Sequence, residues 1–394
     1  MPLTPATSSY YQYTLKVEDA ANPRAPGSVV LKEPSSLVED YQLKVAYRKY
    51  VTTKTIPHRA KRINFLFLHG NGMNKGLWHY HIDQLYTMYS LIPDMYIDTV
   101  IAADHANMGD SAYANRDKLG QVCDWNDLVK DYIMITKIHE REAFLHPDAF
   151  NVIVGHSMGG FLTIQLTANE PNLFQCSVLV NPVCANTPEA NDSFIALQRN
   201  WYDRGFVKYN FDIPPGKNWY DEVYDHFTTK SFYKMFDPVV LKNMVEDEIP
   251  EGYQRDKYYE TVLLKHDGNN DYISYYNQYF SIPVTYSCKL VHSQGWFQNS
   301  PSFLERSDTI KQIVDERLHS AQLQVLHGHA HNMHAQSPNV ILSYINEFVV
   351  ETYKNNQKPN DYDYLKQFGP DYKKILFENR MKEFLGDRKI HSKL

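Results

Sequence analysis

Apolar residues fall along this chain in two patterns. Near the start, Ser28-Val-Val-Leu-Lys and Tyr41-Gln-Leu-Lys-Val-Ala-Tyr-Arg-Lys-Tyr-Val alternate apolar and polar side chains, as half-buried antiparallel strands do. They predict an opening hairpin or edge pair. From Ile63 the runs become nearly continuous: Ile63-Asn-Phe-Leu-Phe-Leu, Thr99-Val-Ile-Ala-Ala, Phe150-Asn-Val-Ile-Val, Cys176-Ser-Val-Leu-Val, Ser287-Cys-Lys-Leu-Val and Leu323-Gln-Val-Leu. A strand covered on both faces reads this way. Helix-like stretches at Asn126 to His139, Gly160 to Glu170 and Asn339 to Tyr353 alternate with them or follow them. The fold class expected is therefore α/β with a mostly parallel sheet.

One interval breaks the rhythm. About a hundred residues separate Val183 from Pro283 without a buried-strand run, too long for a structureless loop inside a compact domain. The interval predicts a helical cap over 186–283, inserted after strand six. The core is then 1–185 with 284–394, ending in a C-terminal tail. The chain holds 30 Tyr and 19 Phe against 17 Gly, and many of these rings fall in the cap, Tyr233 and Phe236 among them. Most are expected to form the cap's own core and a minority to line an apolar pocket.

Composition narrows the classes further. With 394 residues, 43% hydrophobic and 22% charged, the chain can bury a large core. Forty Lys and Arg against 46 Asp and Glu, a net charge of -6, argue against broad binding of nucleic acid or anionic membrane. No run approaches the roughly 18 apolar residues of a transmembrane helix, and the first thirty residues hold no secretory signal. Cys123, Cys176, Cys184 and Cys288 show no C-x-x-C spacing and read as small buried hydrophobes in a reducing compartment.

The chemistry concentrates at Gly155-His156-Ser157-Met158-Gly159, between the Phe150 run and a helix-forming stretch. G-x-S-x-G in that setting is a nucleophile elbow, a strained turn that projects the serine hydroxyl from the carboxyl end of the sheet. Side chains at 155 and 159 would collide with the neighbouring helix and strand. The Met158 amide, at the helix N-terminus, is one oxyanion donor. The second is expected in His69-Gly70-Asn71-Gly72-Met73, after the Ile63 run, with the Asn71 amide first and Gly72 next. His69 reads as a loop-ordering residue. The loop Asp104 to Ser111 packs beside the site without a chemical role.

A general base follows in the chain order serine, acid, histidine. His327, His329, His331 and His334 cluster before Pro338. Without a carboxylate or cysteine pattern they give no recognisable metal ligand set, and no cofactor is expected. His331, seven residues before Pro338, is the base; His329 is the runner-up. The acid is the weak member. His292-Ser-Gln-Gly-Trp-Phe297 offers none, and Asn181 stands where an acid after strand six would be. An Asn can hydrogen-bond an imidazole but cannot stabilise its cation by charge; Glu189 or Asp192 folding back is the other possibility. The tripeptide Ser392-Lys393-Leu394 matches the address read by the peroxisomal import receptor, so the peroxisomal matrix is the expected location.

The elbow, the block Phe65 to Lys75, the Asp104 to Ser111 loop, Pro171-Asn-Leu-Phe174 and the terminal tripeptide together resemble the α/β-hydrolase superfamily. Within it they are similar to the peroxisomal lipases of yeast and the toxin-biosynthesis hydrolases of filamentous fungi. The resemblance covers roughly residues 40–185 and 285–350, and the cap poorly. It implies hydrolysis of acyl esters; position 181, acidic in such relatives, is Asn here. The function expected is a serine esterase or lipase of the peroxisome acting on fatty-acyl lipids through an acyl-enzyme. The alternatives are an acyl-CoA thioesterase, or a hydrolase-fold protein that binds an apolar ligand or a partner with little turnover.

Overall fold

The computed structural model describes residues 8–31, 33, 37–58, 60–120, 123–170, 172–182, 216, 219–248, 287–293, 321–326 and 329–355. Met1–Val350 form one compact unit and Glu351–Leu394 a second, of which only 351–355 are described. One sheet carries the fold. Its strands are β1 (Tyr11–Asp19), β2 (Lys44–Thr52), β3 (Arg62–Leu68), β4 (Tyr96–Ala103), β5 (Ala149–His156), β6 (Cys176–Val180), β7 (Ser287–Ser293) and β8 (Ala321–Leu326). Their spatial order is β1-β2-β4-β3-β5-β6-β7-β8. From β4 to β8 every pairing is parallel, and β2 alone runs against the rest.

The central runs are strands because they are buried on both faces. Phe65, Leu66, Phe67 and Leu68 of β3 are wholly inaccessible; the Phe65 and Phe67 rings stack at 5.7 Å, and Phe67 meets Trp78 at 5.1 Å. Two polar residues interrupt these runs, and both are satisfied laterally, as buried amides require. Asn64 donates to the Asn151 side chain and to the Ala143 carbonyl, each at 2.9 Å, and accepts from the Thr99 amide at 3.2 Å. Asn151 donates to the carbonyls of Phe144 and Leu173 at 2.7 Å. The amides thus lock the amino ends of β3, β4 and β5 in register.

Helices cover the sheet: α1 (His79–Tyr89), α2 (Gly109–Asn115), α3 (Trp125–Met134), α4 (Met158–Asn169), α5 (Trp219–Thr229), α6 (Pro238–Glu246) and α7 (Pro338–Asn355). Asp124 starts α3 by accepting from the Asn126 amide. Asp237 starts α6 by accepting from the Val239 and Val240 amides, with Pro238 in the first turn, where its missing N–H costs nothing. Helices α5 and α6 lie between β6 and β7 in the chain, with a 3₁₀ turn, Phe232–Met235, between them. This is the described portion of the helical insertion expected after strand six. The flanking residues 183–215 and 249–286 lie outside the described residues.

The opening pair is corrected. The partner of β2 is Tyr11–Asp19, in register from Tyr11 opposite Thr52 to Asp19 opposite Lys44, not the segment at Ser28. That segment makes a single bridge, Val29 to Leu119. It is drawn there because Ala25 and Arg24 just before it are tied to α3, through Ala25 N–H to Asp127 at 2.6 Å and Arg24 to Asp131 at 2.8 Å. The overlooked signal is the alternation Tyr11, Tyr13, Leu15, Val17, in which only the two tyrosines are buried. Cys123 and Cys176 are buried free thiols, as read; Cys184 and the Cys288 side chain lie outside the described residues.

Candidate active site

Ser157 sits between β5 and α4 with φ 55° and ψ -115°, a conformation that costs an L-residue about 1–3 kcal/mol unless its surroundings enforce it. They do. The Ser157 amide donates to the Val180 carbonyl of β6 at 3.0 Å. A Cβ on Gly155 would strike the Gly159 carbonyl and the Thr163 hydroxyl of α4. One on Gly159 would strike the Leu68 carbonyl and lie 2.7 Å from the His69 carbonyl. Only glycines let the strand end, the helix and the neighbouring strand close on the turn. Ser157 itself stays half-buried, while the residues on either side are buried.

His331 meets it. The His331 Nε2 lies 3.0 Å from the Ser157 Oγ, across 174 residues of chain. Two donors fix the main chain of this histidine. His156 Nε2–H reaches the His331 carbonyl at 3.1 Å, and the Asn181 amide Nδ2 reaches it at 2.8 Å. A carbonyl only accepts, so His156 carries its proton on Nε2. Burial, with the His331 ring 4.9 Å away, holds His156 well below the ordinary histidine value, and it stays a neutral donor. Asn181 is 5% exposed, directly after β6, with φ 44°. Expected at the position of an acid orienting the imidazole, it engages the backbone carbonyl of His331 through its Nδ2.

The other histidines separate by burial. His334 is inaccessible, packed 3.8 Å from the His156 ring and 5.0 Å from Trp78. Burial, with His156, His81 and His331 nearby, keeps it neutral, so it is part of the wall behind the site. His329 is half-buried. His327, Glu189, Asp192, Gln294 to Phe297 and Ser392 to Leu394 lie outside the described residues. Among the described residues no cluster of histidine, cysteine and carboxylates is placed to hold a metal ion.

The loop after β3 presses on the same point. A Cβ on Gly70 would stand 2.6 Å from His156 Nδ1 and 3.3 Å from the Ser157 Cβ. The Gly70 carbonyl accepts from His69 Nδ1 at 2.8 Å and from the Met73 amide at 3.3 Å. In a trans peptide the N–H opposes the C=O, so these bonds turn the Asn71 amide outward from the loop. His69 is therefore the ordering residue its position implied. Its own carbonyl is held by His105 Nε2–H at 2.9 Å, and the other His105 nitrogen accepts from the Tyr132 hydroxyl. The Met158 amide is at the first turn of α4, where N–H groups lack helical acceptors.

Sequence reasoning did not find the charge cluster that supports this loop. Lys75 is wholly buried, with Asp104 at 2.9 Å, Asp110 at 2.6 Å and Asp247 at 3.6 Å; Arg48 pairs with Asp247 from the other side. Burial works to lower the Lys75 pKa, but the three carboxylates outweigh it and hold the ammonium charged. The partners Asp104, Asp110 and Asp247 lie 29, 35 and 172 residues from Lys75, so no local spacing announces the cluster. A lysine in a Gly-rich loop beside two later aspartates is the only trace.

A mostly parallel sheet with a glycine-walled serine elbow and a histidine at bonding distance defines an α/β hydrolase. Comparison with known proteins agrees: residues 65–342 match the alpha/beta hydrolase family, and the chain belongs to it. The peroxisomal membrane protein LPX1 of Saccharomyces cerevisiae is 26% identical over 85% of this chain and 86% of its own. The crystal structure of the peroxisomal alpha-beta-hydrolase Lpx1 of that yeast superposes with a TM-score of 0.73 at 22% identity, over 97% of this chain and 100% of the other. The type I acyl-CoA thioesterase mpaH of Penicillium roqueforti is 32% identical over 41% of this chain and 36% of its own length.

Two outcomes follow from the geometry. Asn181→Asp puts a carboxylate against the His331 carbonyl in place of a donor, so kcat on an activated ester should fall roughly 10- to 100-fold; a rise would mean that residue 181 acts on the ring as an acid. Burial pushes His105 down to about 4, against the bond to His69 that raises it. The unfolded chain near 6.5 then takes up a proton that the folded chain refuses. The stability due to neutral His105 is complete above pH 6.5 and is lost as pH falls toward 4. His105→Gln should flatten the pH dependence of urea unfolding between pH 5 and 6.5 by up to about 1.4 kcal/mol per pH unit; equal slopes would contradict this.

Proposed function

We propose that this hydrolase cleaves carboxylic esters through an acyl-enzyme on Ser157, with fatty-acyl esters as the substrate class. The observation that carries the reading is the 3.0 Å contact between His331 Nε2 and the Oγ of a serine held at positive φ. The Ser157 oxygen attacks the acyl carbonyl as its proton passes to His331 Nε2. The carbonyl oxygen takes up the electron pair and is stabilised by the amides of Met158 and Asn71. Collapse breaks the ester bond, and His331 returns its proton to the leaving alcohol. Water repeats the sequence on the acyl-enzyme, releasing the acid and restoring Ser157.

The aromatic composition of the cap favours an apolar acyl group. The match to an acyl-CoA thioesterase makes a thioester the second reading, since the same serine and histidine attack either bond. Residence in the peroxisome is supported by Ser392-Lys393-Leu394 and by the peroxisomal relative. No helix among the described residues is long and apolar enough to cross a membrane.

A fluorophosphonate probe at neutral pH should label Ser157, and Ser157→Ala should lower p-nitrophenyl ester hydrolysis by at least about 10³-fold with unchanged thermal stability. No adduct would leave a fold that binds without turnover; retained activity would mean another nucleophile. Acyl esters and acyl-CoA thioesters of graded length separate the two substrate readings. Deleting Ser392 to Leu394 from a fluorescent fusion should leave it cytosolic, and continued import would remove the tripeptide as the address.

A further inference from the structure

The loop that carries the Asn71 amide is a turn from Gly70 to Met73. One bond closes it, Met73 N–H to the Gly70 carbonyl, at a long 3.3 Å. Its third residue, Gly72, has φ 77°, a region where glycine meets no steric wall in either direction. An oxyanion donor must be placed to within about 0.5 Å to work, and this turn alone supplies little to hold it. His69 and the packing of Gly70 hold its first residue; a restraint on Gly72 comes from the cap. The Tyr233 hydroxyl donates to the Gly72 carbonyl at 2.6 Å, and that bond is buried.

Tyr233 is built to do this. Its ring is 3% exposed and wedged between Phe227 at 4.9 Å and Phe236 at 5.2 Å. Burial, with Glu248 nearby, holds the phenol well above its ordinary value, so it stays a donor. The residues around it tie the cap to both halves of the site. Asn74, two residues past Gly72, donates to the Met244 carbonyl at 2.9 Å and to Glu248 at 2.7 Å. The Asp237 amide donates to the Ala335 carbonyl, four residues past His331, at 2.7 Å. Asn74 and Lys75 anchor the far end of the loop, and Tyr233 contacts the turn itself from the cap.

We propose that Tyr233 is a positioning residue for the oxyanion hole: from the cap, its hydroxyl holds the Gly70–Met73 turn so that the Asn71 amide faces the oxyanion on Ser157. This rests on the esterase reading above. The cap segment then completes the catalytic machinery.

The test is Tyr233→Phe, which keeps the ring and removes only the hydroxyl, assayed beside Tyr224→Phe, which removes the hydroxyl of another tyrosine on α5, stacked on Tyr220. In Tyr233→Phe, kcat for a p-nitrophenyl ester should fall about 10- to 100-fold with KM within twofold, part of the loss seen when an oxyanion donor is removed outright. The inhibition constant of a trifluoromethyl ketone, which forms a tetrahedral oxyanion on the serine, should rise by the same factor. Tyr224→Phe should leave both kcat and that inhibition constant within threefold. Unchanged kcat in folded Tyr233→Phe overturns the proposal. So does a fall in kcat without the matching rise for the ketone, or an equal effect from Tyr224→Phe. Wild-type protein lacking Ser157-dependent turnover would overturn the esterase reading, and this proposal with it.

Discussion

The site depends on crowding at the carboxyl end of three strands. Ser157 keeps a backbone conformation that an isolated serine avoids because β6 accepts its amide, β3 lies against Gly159, and Gly70 lies against His156 and Ser157. The last two approaches each need a glycine, Gly159 against Leu68 and Gly70 against His156 and Ser157. The cost of the strained turn is met by the burial of β3, β5 and α4 around it, where nearly every side chain is inaccessible. Projection of the hydroxyl toward His331 follows from that packing and from no single bond.

A second constraint is electrostatic. Lys75, Arg48, Asp104, Asp110 and Asp247 bring two cations and three carboxylates together, Lys75 and Asp104 at 0% exposure. Such a cluster is weak evidence for stability, because the cost of removing charge from water rivals the attraction gained. What it does supply is placement. Each charge has a partner only when β2, the loops after β3 and β4, and the end of α6 are all in their native positions. Any arrangement that lifts α6 away strands a buried charge. The loop after β3 therefore has a fixed neighbour in α6.

Much of this was legible in the sequence, for identifiable reasons. Continuous apolar runs located β3 to β8 because strands covered by helices keep no polar face. The elbow was legible because its chemistry and its sterics share the same five residues. His331 was singled out by its spacing to Pro338 and the helix beyond it, and its Nε2 lies 3.0 Å from the Ser157 Oγ. β1 was not found, because an edge strand with Leu15 and Val17 exposed needs little hydrophobic contrast and the Ser28 segment shows as much. The Lys75 cluster and Tyr233 were invisible for another reason. Their partners are set by tertiary packing, and nothing local distinguishes Tyr233 from the other tyrosines of the cap.

The central claim is that Ser157 carries the acyl group between two half-reactions. The direct measurement is to mix the protein with a slowly deacylated p-nitrophenyl ester, follow p-nitrophenolate release on the millisecond scale, and map the acylated peptide by mass spectrometry after an acid quench. A burst of one p-nitrophenolate per chain, with the acyl mass on the peptide containing Ser157, is the result predicted. Turnover with no burst and no acyl adduct, or an adduct on another residue, would contradict it.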